Sequence, residues 1–430
     1  MAGKRKKPNS GRARGQLFSK RQLLEMRIAV LVTAVVLVGC GIALLIAHAV
    51  LPRGSAGGEV SAESATQAET QAVAETEAET EPPAEDTVIH LVAGGDINVT
   101  DKTVAAGAQA SGYDYTEVFL DIMPVLASAD LTVVNFEGNT VGTPYGSDTV
   151  SAPTELLDAL KNAGVDLVQM ANSKAIANGM TGLAATLEAI SEAGMQSVGA
   201  YATNADFNRS GGYVIREVNG IRIAFVAFTK GMDGMGLSSG SESCVNVLYT
   251  DYNSTYQSVD TASITSILRN VQAAEPDITI ALLHWGSEFN AQLSSSQETI
   301  RDLLLENGVS VILGTHSHYV QAVEYSAEDG TLIAYSLGDL LGDADKAGTN
   351  YSVLLNIEIT KDGTTGAVSV TGYEYVPVYL DDQTESGGGI RILQVETGIE
   401  SYENNSLSSI SDEAYEGMLN ALEKVNSRMG

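Results

Sequence analysis

Three of the five histidines, His284, His316 and His318, follow short apolar, β-branched runs. Ile278–Leu283 runs into His284, and Val309–Leu313 is followed by Gly314, His316 and His318. Such runs predict buried strands. In an open α/β sheet, ligands gather at the carboxyl ends of strands. Residues two apart at a strand end point to one side, so His316 and His318 are expected to aim at one spot. Carboxylates and amides fall at other expected strand ends. Asp96 follows Val88–Ala93 and Gly94-Gly95, Glu137 closes Leu131–Glu137, and Asn172-Ser173 follow Val165–Met170. Carboxylates supply charge and can bridge two ions, while neutral imidazoles suit zinc, manganese or iron. One donor per strand end is a way to assemble a centre for one or two divalent ions from a layered sheet.

The elements needed to place those donors alternate. Helical spacing is expected over Tyr115–Ser128, broken at Pro124, then over Pro153–Ala163, Leu183–Ala193 and Ser294–Glu306. Strands are expected at Arg222–Phe228 as well as at the runs above. This alternation predicts an α/β layered domain over 88–345. Beyond Asp339, strands are expected at Ser352–Thr360, Gly366–Tyr375 and Val376–Leu380, with turns at Lys361-Asp362-Gly363 and Gly372. Ser386–Gly389 is expected as a flexible break, and Asp412–Arg428 as a terminal amphipathic helix. Residues 346–430 thus predict a β-rich extension ending in a helix.

Charge is divided sharply along the chain. Residues 1–27 carry nine Lys or Arg against the single acid Glu25, whereas after Arg53 fourteen basic residues face 53 acidic ones, a balance of −39. That surface repels nucleic acid, so no nucleic-acid partner is expected. The 24 residues 28–51 carry no Lys, Arg, Asp or Glu, enough for a membrane-spanning helix. The basic flank orients residues 1–27 to the cytoplasm and everything after residue 51 to the outside. A competing route is a cleaved lipoprotein, because Leu37-Val38-Gly39-Cys40 looks like a lipidation box. Residues 52–87, rich in Ala, Glu, Thr and Ser, predict a disordered acidic linker. Cys40 and Cys244 are the only cysteines, which excludes a cysteine-based zinc site.

From Val88 to about Leu341 the chain resembles the CapA/PgsA-type poly-γ-glutamate (capsule) synthesis proteins of the calcineurin-like metallophosphatase superfamily. The matching strings are Gly95-Asp96-Ile97, Ala129-Asp130-Leu131 running to Asn135-Phe136-Glu137, and Leu160–Asp166. His284-Trp285-Gly286-Ser287-Glu288, Leu313–Gln321 and Tyr335-Ser336-Leu337-Gly338-Asp339 follow in the same order. The resemblance implies a four-layer α/β/β/α sandwich. It also implies metal positions at Asp96, Glu137, His284, His316 and His318, with Glu137 bridging. Membrane-bound polymer synthase subunits and an anionic polymer would be the partners. One segment departs from the pattern. Where such proteins read Ala-Asn-Asn-His, this chain reads Ala171-Asn172-Ser173-Lys174. Lys174 therefore stands where a leaving group would be protonated, and its ordinary pKa of about 10.4 suits that task poorly. Asn98 stands where many metallophosphatases carry a histidine, so Asn98, Asn172 and Ser173 are weaker candidate ligands. The resemblance is compatible with a metal-dependent hydrolase or transferase, and equally with a non-catalytic accessory subunit.

Overall fold

A computed structural model of the chain describes residues 84–384, 389–406 and 409–429. The basic tail, the expected membrane-spanning helix over 28–51, Cys40, nearly all of the expected linker and residues 386–388 of the expected flexible break lie outside the described residues. Among those described, no helix is long and apolar enough to cross a membrane.

The fold is mixed α/β, with two sheets and ten helices among the described residues. In chain order the strands are β1 (Thr87–Asn98), β2 (Leu131–Glu137), β3 (Leu167–Gln169), β4 (Gln196–Val198), β5 (Tyr213–Val218), β6 (Ile221–Thr229) and β7 (Ile278–His284). They continue with β8 (Val311–Thr315), β9 (Val323–Ser326), β10 (Thr331–Ala334), β11 (Asp339–Leu341), β12 (Tyr351–Lys361), β13 (Val368–Asp382) and β14 (Ile390–Gln394). The first sheet runs β14-β13-β12-β1-β2-β3-β4, with β11 also paired to β1. It is parallel from β1 through β4 and antiparallel from β1 outward through β12 to β14. The second sheet runs β5-β6-β7-β8-β10-β9, parallel in its middle and antiparallel at both edges.

Burial on both faces explains the apolar runs. β2 and β7 are buried along their whole lengths, as strands covered on both sides must be. Successive side chains of β6 alternate. Ile223, Phe225 and Ala227 join the same apolar cluster as Leu91, Ala93 and Val133 of the first sheet. Ala224, Val226 and Phe228 pack with Ile264, Leu268 and Val271 of the helix Thr261–Ala273 and with Ile300 and Leu304 of the helix Ser295–Glu306. That last helix begins with a full capping box, the Ser294 side chain accepting from the Gln297 backbone and the Gln297 side chain from the Ser294 backbone.

Several boundaries differ from expectation. β8 runs through Gly314, which pairs with Leu283 of β7, and a Cβ there would come within 1.9 Å of the Tyr335 carbonyl oxygen. The two strands expected over Gly366–Leu380 are one, β13, and Gly372 is no turn: the register to β12 shifts there by one residue, a bulge that a single strand absorbs. Residues 346–430 contribute β12, β13 and β14 to the same sheet as β1. At the other end Thr87 already pairs with Lys361, and Asp86 accepts from the Gly363 N–H at 2.9 Å. The helix expected over Tyr115–Ser128 splits into Thr116–Phe119 and Met123–Leu126, with Pro124 in the first turn of the second.

Candidate metal centre

The parallel strands of both sheets deliver their carboxyl ends to one place. Asp96 and Glu137 come from β1 and β2, Asn172 to Lys174 from the loop after β3, and His284 from the last position of β7. His316 and His318 follow β8, and Asp339 opens β11. Asp96, Glu137 and His284 each offer a donor atom, all within 4.8 Å of one another, and so do Asp96, His318 and Asp339. Asp96 is common to both groups.

Glycine makes that closeness attainable. Gly95-Asp96 and Gly338-Asp339 pair side by side, with Asp96 in register with Asp339. A Cβ on Gly95 would sit 1.8 Å from the Gly338 carbonyl oxygen, which itself accepts from the Asp96 N–H at 3.0 Å. Only a bare backbone permits this approach.

Each donor is held by a neighbour. The Asn135 amide donates to Asp96 Oδ1 at 2.5 Å, and the His316 backbone N–H donates to Asp96 Oδ2 at 3.1 Å. Ser173 donates a very short hydrogen bond to Glu137 Oε1. His284 places Nδ1 3.1 Å from the Thr315 hydroxyl and Nε2 3.6 Å from Glu137 Oε1. His318 Nδ1 lies 2.8 Å from Asp339 Oδ1, which also accepts from the Asn98 amide at 3.0 Å. A carboxylate on one ring nitrogen sets the tautomer and leaves the other nitrogen for a ligand. Asn98 and Asn172 thus serve as props. The Asn172 amide donates to Asn135 and the Phe136 carbonyl, and its oxygen accepts from the Lys174 N–H.

The turn carrying the two histidines is not the extended strand end expected from sequence. His316 and His318 have φ of 88° and 60°, the left-handed region that L-residues seldom occupy. The ring of His316 lies 4.4 Å from that of His284, but 6.3 Å from that of His318. Convergence therefore comes from turn geometry and not from strand alternation.

The electrostatics suit a divalent cation. Burial, then Asp339, pushes the Asp96 carboxyl up to about 6, and burial, then Asp96, pushes Glu137 up to about 8. Burial, then neighbouring imidazoles for His284 and the Lys230 ammonium for His316, holds both rings well below the usual histidine range. For His318 burial pulls down, but the Asp339 hydrogen bond and charge outweigh it and raise the ring to about 10. Among the described residues, Glu137 Oε2 and both ring nitrogens of His316 are buried with no hydrogen-bond partner. Buried polar atoms are rarely left unpaired. Two crowded carboxylates beside the partnerless imidazole of His316 are the donor set a divalent transition ion would complete.

Lys174 lies at the mouth, where its ammonium pairs with Asp233 Oδ2 at 2.5 Å. Two cavities open there. One of about 270 Å³ reaches Ser173 and His316 past Lys230, Asp233 and Glu288, and one of about 340 Å³ reaches Glu137, His318 and Asp339 past Lys174 and Lys346. The Phe289 ring stacks on His318 at 4.8 Å. His90 is exposed on β1 and belongs to neither donor group.

Asn135, Thr315 and Asp339 were not singled out as site residues by sequence. Asp339 carried a readable sign, since Gly338-Asp339 repeats the Gly95-Asp96 pair at another strand junction. Asn135 and Thr315 are polar interruptions in apolar strands, which become informative only once both sheets are in place.

The profile of a family described as bacterial capsule synthesis protein PGA_cap matches residues 90–344. The capsule biosynthesis protein CapA of Bacillus anthracis is 25% identical over 260 residues, covering 59% of this chain and 60% of that protein's length. The PGA biosynthesis protein CapA of Bacillus subtilis (strain 168) is 25% identical over 294 residues, covering 66% of this chain and 71% of its own. Among solved structures, the calcineurin-like phosphoesterase YfkN from Bacillus subtilis is similar with a TM-score of 0.43 and 16% identity, over 80% of this chain and 100% of that one. Asp96, Glu137, His284, His316, His318 and Asp339 all fall inside the matched segment, and the chain belongs to the bacterial capsule synthesis protein family PGA_cap.

Proposed function

We propose that the chain is a membrane-anchored, outward-facing capsule-biosynthesis protein whose described unit binds a divalent transition ion at Asp96, Glu137, His284, His316 and His318. Manganese, zinc and iron all suit that donor set. Poly-γ-glutamate or a related anionic polymer is the proposed partner, together with membrane-bound synthase subunits. The four-layer α/β/β/α arrangement of a metallophosphatase belongs to this reading. The observation that carries it is the buried, partnerless state of Glu137 Oε2 and both His316 ring nitrogens around Asp96. Metal analysis of the full-length protein in detergent tests it. Bound manganese or zinc is expected in the parent. A parent that cannot be loaded would remove the assignment.

With an ion bound, the centre would supply Lewis-acid activation for hydrolysis or transfer at a phosphoester or amide bond. The residues around it would orient and hold: Asn135 fixes Asp96, Thr315 fixes His284 and Asp339 fixes His318. The position from which a family imidazole would protonate a leaving group is occupied by a lysine. Lys174 stands there with its charge engaged by Asp233; burial alone would lower its pKa, but the Asp233 contact outweighs it and raises it. That favours the second reading, a metal-binding accessory subunit without turnover. The double change Ser173→Asn with Lys174→His decides between them. Phosphodiesterase activity on a chromogenic ester that is absent in the parent and present in the double variant supports the accessory reading. Robust metal-dependent turnover in the parent supports the enzyme.

A further inference from the structure

The last helix, Asp412–Met429, lies outside the matched segment 90–344, yet its final turn reaches the turn that carries the two histidines. Arg428 Nη1 donates to the Val320 carbonyl oxygen at 3.0 Å, two residues past His318. Its guanidinium stands 6.0 Å from the Tyr319 ring centre and 5.8 Å from that of Tyr351. On Tyr319 the fit is close again, because a Cβ on Gly348 would lie 3.1 Å from the ring. Ser317 Oγ donates to the Tyr319 carbonyl at 2.7 Å, and the Phe289 N–H donates to the Ser317 carbonyl at 2.8 Å. Left-handed backbone at two positions of one short turn persists only where surroundings over-determine it. The contacts at Ser317 come from the turn itself and from the loop after β7. At its exit, Val320 bridges Leu337, Phe289 meets the Tyr319 ring edge-on at 6.2 Å, and Arg428 is the contact that the C-terminal helix supplies.

We infer that Arg428 is a positioning residue for the metal centre: the C-terminal helix braces the His316–His318 turn through the Val320 carbonyl and the Tyr319 ring. The inference rests on the metal reading for its ligand and on the contacts above for its mechanics. A guanidinium at the end of a helix also complements the helix dipole, but that needs no contact with another element. Planarity matters here, since the same group donates to a carbonyl and lies over two aromatic rings, which lysine reproduces only in charge.

The test uses the full-length protein with cobalt(II) as probe, whose visible absorption reports ligand geometry. Arg428→Ala should shift the cobalt spectrum at saturation and weaken binding by about tenfold. Arg428→Lys should recover part of both. Met418→Ala, which trims a buried residue of the same helix packed on Gly398, should lower the melting temperature while leaving the spectrum unchanged. In parallel, amide exchange of the metal-free protein should quicken across 315–322 in Arg428→Ala and not in Met418→Ala. An Arg428→Ala protein with parental spectrum, affinity and exchange overturns the brace. If the parent takes up no cobalt, the metal reading fails by itself, and exchange alone decides whether Arg428 holds the turn.

Discussion

Two halves of the candidate centre are built differently. Asp96, Glu137 and His284 stand at or beside the ends of central parallel strands, each at most 4% exposed, in backbone that the sheets hold rigidly. His316 and His318 stand on a left-handed turn held by Asp96, Asp339, Phe289 and Arg428, which come from four other parts of the chain. Strand ends place a donor by local pairing, so the sheet that makes the core also makes the site. A turn places a donor only as well as its distant contacts hold it. Losing a strand-end donor should therefore abolish binding outright, whereas loosening the turn should weaken binding in steps.

The largest effect is expected from Glu137→Ala and His316→Ala, one from each half. Both remove a buried donor whose free atoms have no other partner, and both should reduce bound metal to background. His90→Ala should retain parental stoichiometry, as the residue is exposed and its hydrogen bonds to Asp130 run through its backbone N–H and carbonyl, which the substitution keeps. Full metal content in either centre variant would remove that residue from the site.

Next comes Asp339→Ala, which frees the His318 ring without touching a strand-end donor. Partners of this kind are worth about 10- to 100-fold in metal affinity. Asp339→Asn keeps a hydrogen-bond acceptor and should fall between parent and Ala in a competition titration. An Asp339→Ala protein that binds metal like the parent would show that the turn needs no carboxylate.

A pH effect should separate the halves in the chelator-treated protein. Glu137 is pushed up to about 8 from an ordinary value of 4.5, and His318 up to about 10 from 6.5. Between pH 6.5 and 8 the folded state then holds more protons than the unfolded chain on both groups. Stability falls as pH rises wherever that is so, at about 1.4 kcal/mol per pH unit for each extra proton. For Glu137 the loss builds from pH 4.5 to about 8. For His318 the stabilising contribution is full below 6.5 and disappears as pH climbs through about 10. Glu137→Gln should keep the His318 part and flatten the rest in denaturant titrations at pH 6.5 and 8. An unchanged slope would mean that Glu137 is already ionised in the metal-free fold.

The smallest effect is expected at Lys174→Ala. Its ammonium is paired with Asp233 at the mouth, both side chains more than a third exposed or nearly so, and such pairs contribute about 1 kcal/mol or less. Metal affinity should move by less than about threefold. A large gain in metal content on removing Lys174 would instead mark its charge as a competitor of the ion.

The sequence by itself determined the strand-end half. Continuous apolar runs such as Leu131–Glu137 and Ile278–His284 could only be strands covered on both faces, and a carboxylate or imidazole at the end of such a run has one direction to go. The family strings, the α/β alternation and the terminal helix were legible for the same reason: they are local patterns. Residues 28–51 carry an equally local pattern that lies outside the described residues. Tertiary structure decided what depends on meeting across sheets. It paired Gly95-Asp96 with Gly338-Asp339 across 243 positions of chain, making Asp96 the carboxylate common to both donor groups. It also sent Lys174 to Asp233 and set the amides of Asn98 and Asn172 as supports for Asp339 and Asn135. It set the left-handed turn at His316 and His318 under Arg428, 110 residues beyond His318. None of these follows from periodicity, because each is a contact between side chains or backbones that no local propensity brings together.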